Sequence, residues 1–328
     1  MAAKVYVTRP IFDEVLERLK GEAQVDANSE DRVLAKQELI AHLKDKDGAL
    51  TLLTDAMDGE VMSGAPRLKV VANFAVGFNN VAVDAATRLG VVVTNTPGVL
   101  TETTADFAWT LLMAAARRVV EGDKFARAGR FKAWGPKMFL GYDVYGKTLG
   151  LIGLGRIGQA VARRAAGFNM KVVFYDPAPI PDSVVKELSV TKLPLEEVLR
   201  TSDFISLHVP LFAETHHLLN DRTFALMKPT CVVVNTSRGP VVDEKALIRA
   251  LKGRTIASAG LDVFEREPEI DPELFELDNV VIAPHIASAS HETRLKMCMM
   301  AADNLIAALK GERPPNFVNP EVWDHRRQ

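Results

Sequence analysis

The run Thr148-Leu-Gly-Leu-Ile-Gly-Leu-Gly-Arg-Ile-Gly158, continuing to Lys171-Val-Val-Phe-Tyr-Asp176, constrains this chain more than any other stretch. Its pattern is strand, glycine turn, helix and second strand, with a carboxylate at the second strand's tip. Gly153 permits the tight turn out of the first strand. Gly155 lets the backbone approach a pyrophosphate, and Gly158 lets the new helix pack against the sheet. The amides that open the helix then face the phosphates, with the positive end of the helix dipole behind them. A lone G-x-G-x-x-G also marks ordinary turns, but here both flanking strands are present. Asp176 follows Gly158 by 18 residues, where an acid accepts hydrogen bonds from the adenosine ribose hydroxyls. It would repel a 2′-phosphate, and no arginine directly follows it. The expected cofactor is therefore NAD(H) in preference to NADP(H).

A chain of 328 residues has room for two domains with well-formed cores. Its composition, 48% hydrophobic and 25% charged, is that of a soluble globular protein. A net charge of -2 gives no electrostatic case for nucleic acid or an anionic membrane. The opening Met-Ala-Ala-Lys-Val-Tyr-Val-Thr runs straight into a strand without a signal peptide's apolar core. No apolar run approaches the length of a bilayer span, so the cytoplasm is the expected compartment. Cys231 and Cys298 lie far apart in apolar settings and are expected as buried thiols, with no disulfide and no metal site.

Before residue 100, short apolar runs alternate with helical patterns. Strands are expected at 4–8, 24–27, 49–53, 70–74 and 91–94, with helices at 11–20 and 36–43 between them. A long helix is expected at 101–118. The second series gives strands at 149–153, 171–175, 204–209, 231–235, 256–261 and 280–283, then a helix at 292–310 and an irregular tail. This βαβ rhythm implies parallel sheets with helices on their faces, and the second series describes a full doubly wound Rossmann sheet.

Three patches end predicted strands downstream of the fingerprint: Val234-Asn-Thr-Ser-Arg-Gly239, Gly260-Leu-Asp-Val-Phe-Glu-Arg-Glu-Pro268 and Ala283-Pro-His-Ile-Ala-Ser288. Ligands of a doubly wound sheet sit beyond the carboxyl ends of its strands, so these patches can converge. Hydride transfer to a 2-keto acid needs a fixed cation for the carboxylate and carbonyl, and Arg238 supplies a planar, always charged fork. It needs a proton donor near neutral pH, and His285 is the candidate. A carboxylate beside the histidine favours the charged ring and fixes its tautomer, a role open to Glu267. Asp262 could accept from a nicotinamide carboxamide. Of Glu265, Glu267 and Glu269, two are expected to be solvated loop charges. His216-His217 are expected on a helix surface, and His208 at a strand end near the cofactor.

These residues bring the chain to a family. Gly153-Leu-Gly-Arg-Ile-Gly158, His208-Val-Pro-Leu with Glu214-Thr215, Asn235-Thr-Ser-Arg-Gly239, Gly260-Leu-Asp-Val-Phe-Glu-Arg-Glu-Pro268 and Pro284-His-Ile resemble the D-isomer-specific 2-hydroxyacid dehydrogenases over nearly the whole chain. Val93-Thr-Asn-Thr-Pro97, Thr103-Thr-Ala-Asp106 and Met138-Phe-Leu-Gly-Tyr-Asp-Val-Tyr-Gly-Lys147 are most similar to its glyoxylate/hydroxypyruvate reductases. The resemblance implies a Rossmann domain at 100–286 inserted into a smaller flavodoxin-like α/β substrate domain formed by 1–99 and 287–328. It implies Arg238, Glu267 and His285 as the catalytic set, with Val76 and Gly77 giving backbone N–H groups to the substrate carboxylate. Thr104, Pro210, Thr215, Thr236 and Asp262 would contact the cofactor, and Arg156 and Ile157 would give amides to its pyrophosphate. A homodimer with the helix at 101–118 in its interface is also implied. The expected function is NADH-dependent reduction of glyoxylate or hydroxypyruvate. The alternatives are a D-3-phosphoglycerate or D-lactate type dehydrogenase and an NAD-sensing corepressor-like protein.

Overall fold

A computed structural model describes residues 2–328. The chain forms two compact units, Met1–Leu100 with Ser290–Gln328, and Thr101–Ala289. It crosses from one to the other twice, so the second unit is an insertion in the first.

The first unit is built on a parallel sheet of β1 (Lys4–Val7), β2 (Gln24–Ala27), β3 (Gly48–Leu52), β4 (Val70–Phe74) and β5 (Val92–Thr94), in the order β2-β1-β3-β4-β5. That is the flavodoxin-like order. Side chains alternate between two buried faces. Val5, Val7, Leu50, Val70, Ala72 and Val92 meet Leu19 and the helix His291–Leu309, while Tyr6, Ala49, Val71 and Val93 meet Leu39, Leu43 and Val61. Burial on both faces is why these strands read as continuous apolar runs rather than alternating ones. Gly48 lets the helix lie against the sheet, since a Cβ there would sit 2.8 Å from Leu305 Cδ1.

The tail completes this unit. Val318 N donates to Val93 O at 2.8 Å, and the buried Asn319 side chain accepts from Val93 N at 2.8 Å and donates to Val91 O at 3.0 Å. Where an irregular tail was expected, Pro320–His325 form a short 3-10 helix.

The second unit carries β6 (Thr148–Ile152), β7 (Lys171–Tyr175), β8 (Val190–Lys192), β9 (Phe204–Leu207), β10 (Val232–Asn235), β11 (Ser258–Leu261) and β12 (Val280–Ile282). All pair in parallel in the order β12-β11-β10-β9-β6-β7-β8, the doubly wound Rossmann arrangement with one strand added. The order reverses between β6 and β9, which is where such sheets open a crevice for a ligand. The long helix after Leu100 ends earlier than the expected 118, at Ala116. Ala105, Ala108, Trp109, Leu111, Leu112 and Ala115 are spent in this unit's own core, and Trp109 Nε1 donates to Val161 O of the glycine-turn helix at 3.1 Å. Cys231 and Cys298 are buried free thiols. Among the described residues no helix is long and apolar enough to cross a membrane.

Candidate active site

The glycine turn leaves β6 at the sheet's reversal point. Gly153 has φ +96°, and a Cβ there would lie 2.8 Å from the His208 carbonyl carbon, beyond β9. A Cβ on Gly158 would lie 2.2 Å from Gly153 O, whereas one on Gly155 would meet nothing within 4 Å. Two glycines are therefore packing requirements and the third leaves open space, as an approaching phosphate requires. Gly155 is the N-cap of the helix Arg156–Ala165, so the amides of Arg156 and Ile157 are first-turn donors of a helix N-terminus.

Asp176, at the tip of β7, accepts from Leu154 N at 2.8 Å and from Ala178 N at 2.9 Å. Its carboxylate is thus held against the glycine turn and is not a freely solvated charge. On the far side of the reversal point, Thr215 Oγ1 accepts from Phe212 N at 2.8 Å and donates to Pro210 O at 2.7 Å. The Thr215 hydroxyl is committed to its own turn. Thr104 is buried near the start of the helix Thr101–Ala116. Ser206 Oγ lies 2.9 Å from His208 Nε2, and burial pushes the His208 ring down to about 3, so it stays neutral.

The catalytic candidates sit at the carboxyl ends of three adjacent strands. Arg238 follows β10, Asp262 and Glu267 follow β11, and His285 follows β12. His285 Nδ1 lies 2.7 Å from Glu267 Oε2, while Glu267 Oε1 accepts from Phe264 N at 2.9 Å. Burial alone would raise the Glu267 carboxyl, but the contact with His285, the Phe264 amide and the nearby Arg238 guanidinium outweigh it. The group lies below the ordinary carboxylate value. Arg238 is anchored by Nη1 donating to Ser237 O at 2.7 Å, and burial draws its guanidinium below the usual arginine value against the pull of Glu267.

His285 takes φ +54°, a left-handed conformation uncommon outside glycine. Its amide is held by Asp262 O at 2.9 Å, and the Asp262 carboxylate accepts from Ile286 N at 2.7 Å and Ala287 N at 2.8 Å. Burial pushes that carboxyl up. Asp262 therefore holds the turn that aims His285.

Thr236 is buried, and among the described residues its Oγ1 has no hydrogen-bond partner. A buried orphan hydroxyl is costly unless a ligand satisfies it. With the open cradle at Gly155 and the unpaired helix amides, it fits a dinucleotide across these strand ends. On the first unit, Asn95 Nδ2 donates to Val76 O at 2.7 Å and Asn73 Nδ2 to Gly77 O at 3.0 Å. Both carbonyls are thus engaged, and among the described residues the Val76 and Gly77 amides have no backbone acceptor.

Two expectations are corrected. His216-His217 lie in a turn, not on a helix, with their rings stacked at 3.9 Å and His217 at φ +50°. Glu265 is not a solvated loop charge: its Oε1 lies 2.8 Å from His217 Nε2, and its Oε2 accepts from Glu244 N at 3.0 Å. The one sequence signal for Glu265 was its place in Glu265-Arg-Glu267, and Glu267 drew that signal to itself.

A doubly wound sheet with this turn and this Arg–Glu–His cluster defines a dinucleotide-binding α/β oxidoreductase. Residues 109–287 match the family described as "D-isomer specific 2-hydroxyacid dehydrogenase, NAD binding domain". The chain is 55% identical over 324 residues, 98% of its length and 97% of the relative's, to a glyoxylate reductase of Korarchaeum cryptofilum. It is 52% identical over 331 residues, 100% of its length and 98% of the relative's, to the glyoxylate reductase of Pyrococcus furiosus. A crystal structure of an NADPH-dependent glyoxylate/hydroxypyruvate reductase from Sinorhizobium meliloti, in complex with NADP and malonate, superposes with a TM-score of 0.86. It is 34% identical, over 100% of this chain and 99% of that one. The chain belongs to the D-isomer specific 2-hydroxyacid dehydrogenase family.

Proposed function

We propose that the protein reduces small 2-keto acids with NADH, glyoxylate foremost and hydroxypyruvate as a second substrate, giving the D-isomer where the product is chiral. The observation that carries this reading is the 2.7 Å contact between Glu267 and His285, formed beside Arg238 at the ends of adjacent strands.

Gly153, Gly155, Arg156, Ile157 and Gly158 would hold the cofactor's pyrophosphate, Asp176 its ribose, and Thr104, Pro210, Thr215, Thr236 and Asp262 the remainder. The bound nicotinamide supplies the hydride. Arg238 binds the substrate carboxylate and draws charge toward the carbonyl oxygen. His285, with Nδ1 turned to Glu267, keeps Nε2 for the carbonyl oxygen and gives up its proton there as the alkoxide forms. Glu267 fixes the orientation of the ring through the contact with Nδ1.

Preference for NADH rests on Asp176, whose carboxylate, held against the glycine turn, would repel a 2′-phosphate. The Sinorhizobium relative is NADPH-dependent, so this choice belongs to the individual chain. Two buried free thiols suit a reducing compartment, the cytoplasm. A homodimer is part of the proposal. The segment that follows the helix Thr101–Ala116 leaves Val119, Phe131, Trp134, Leu140 and Tyr145 exposed, and this many large apolar side chains in solvent along one segment suit an interface.

The test is one panel: glyoxylate, hydroxypyruvate, pyruvate and oxaloacetate, each with NADH and NADPH. Glyoxylate with NADH should be turned over best. A strong preference for NADPH removes the role given to Asp176, and absence of turnover on every acid turns the reading toward an NAD-sensing protein. His285→Ala should lower kcat by about 10²–10⁴-fold while leaving NADH affinity unchanged; full turnover would overturn the acid assignment.

A further inference from the structure

Arg238 and Glu267 come from different loops, one after β10 and one after β11, and their relative position is set by groups outside the catalytic set. The backbones of the two loops touch: a Cβ on Gly239 would lie 1.8 Å from Phe264 O and 2.6 Å from Glu265 N. Phe264 is also the residue whose amide holds Glu267 Oε1. A shift of the Phe264–Glu265 backbone is therefore passed to Glu267, and through it to the His285 ring.

That backbone is pinned by Glu265. Its Oε2 accepts from Glu244 N at 3.0 Å, its own amide donates to Glu244 Oε2 at 3.1 Å, and its Oε1 meets His217 Nε2 at 2.8 Å. His217 returns to the Arg238 loop, because its amide donates to Pro240 O at 2.8 Å. A closed ring results, running from Gly239-Pro240 through His217 and Glu265 back to Phe264 and Gly239. Its members carry features that cost energy unless the arrangement is held. His217 is left-handed at φ +50°, a conformation few residues other than glycine adopt. Glu244 is 7% exposed, and burial pushes its carboxyl up.

We propose that Glu265, clamped between His217 and Glu244, is a positioning residue that fixes the Glu267–His285 pair relative to Arg238. This rests on the catalytic reading of Arg238, Glu267 and His285 given above. Glu265 faces His217 and Glu244, whereas the Glu267–His285 pair faces Arg238 and Asp262, so the clamp acts on the pair through the Phe264 backbone. Proton donation demands placement within a fraction of an ångström, and a loop of this length does not supply that without a brace.

The experiment compares Glu265→Ala and Glu265→Gln with wild type for kcat, KM for glyoxylate and NADH affinity. Glu265→Ala should lower kcat by about 10–100-fold, the scale of a displacement near 1 Å. NADH affinity should stay within about twofold, since the glycine turn is untouched. Glu265→Gln should recover most of the loss: its carboxamide oxygen can accept from Glu244 N and its NH₂ can donate to His217. A kcat for Glu265→Ala within about twofold of wild type overturns the proposal, as does a Glu265→Gln variant no better than Glu265→Ala. Should Glu265→Ala fail to fold, His217→Ala cuts the ring at its other side and is held to the same loss of kcat with NADH affinity unchanged. If wild type reduces no keto acid, or His285→Ala keeps full turnover, the catalytic reading fails. If wild type turns over, His285→Ala does not, and Glu265→Ala keeps the wild-type kcat, only the brace fails.

Discussion

Asp262 and Glu267 leave the same strand, and burial acts on both carboxyls, yet they are displaced in opposite directions. Asp262 is raised by burial despite two amide donors, and Glu267 is lowered because His285, Phe264 N and Arg238 outweigh burial. The sign matters for pH. A carboxyl depressed in the folded state contributes stability above its unfolded value, about pH 4, and that contribution is lost as pH falls through the folded value. Asp262 runs the other way: what it contributes is present at low pH and lost as pH rises. For catalysis, the relevant consequence is the hold that the Glu267 carboxylate has on the His285 ring. Replacing Glu267 by Gln weakens that hold, so kcat should fall by about 10–100-fold while NADH affinity stays within about twofold. Steady-state kinetics of the variant measure this directly, and an unchanged kcat would remove Glu267 from any part in positioning the proton donor.

Among the elements, β5 depends on the chain's far end. Asn319 Oδ1 takes the Val93 amide, and Nδ2 serves Val91 O and Thr87 Oγ1. Replacing Asn319 by Ala leaves buried backbone groups without partners, and the first unit should lose about 2–4 kcal/mol. Chemical denaturation followed by a probe in that unit would show it, and a loss near zero would mean that water takes the vacated positions. Most elements were legible because strands buried on both faces leave unbroken apolar runs. The strand β8, Val-Thr-Lys at the sheet's edge with one buried residue, has no such run and was missed. The Arg–Glu–His cluster was legible because parallel topology brings adjacent strand tips together whatever their separation in sequence. The clamp at Glu265 was not, since its contact to His217 spans 48 residues and depends on a left-handed turn that no local pattern announces.

In the whole molecule, the segment after the helix Thr101–Ala116 leaves large apolar side chains in solvent, with Phe131 at 56% and Trp134 at 79% exposure. Light scattering on the wild-type protein should report a dimer, and Phe131→Ser with Trp134→Ser should give monomers of unchanged secondary structure. A wild-type monomer would end that part of the proposal. The double crossing between units also orders the protein's birth. Synthesis proceeds at about 5–20 residues per second, so roughly ten to forty seconds separate the emergence of Leu100 from that of Ser290. Throughout that interval Val5, Val7, Leu50 and Val70 wait for a helix not yet made, while the inserted unit is still being synthesised. The inserted unit can close as soon as its own last strand is made, whereas the first unit keeps an open apolar sheet for the whole delay, so the first unit, not the inserted one, is where chaperone dependence and misassembly should concentrate.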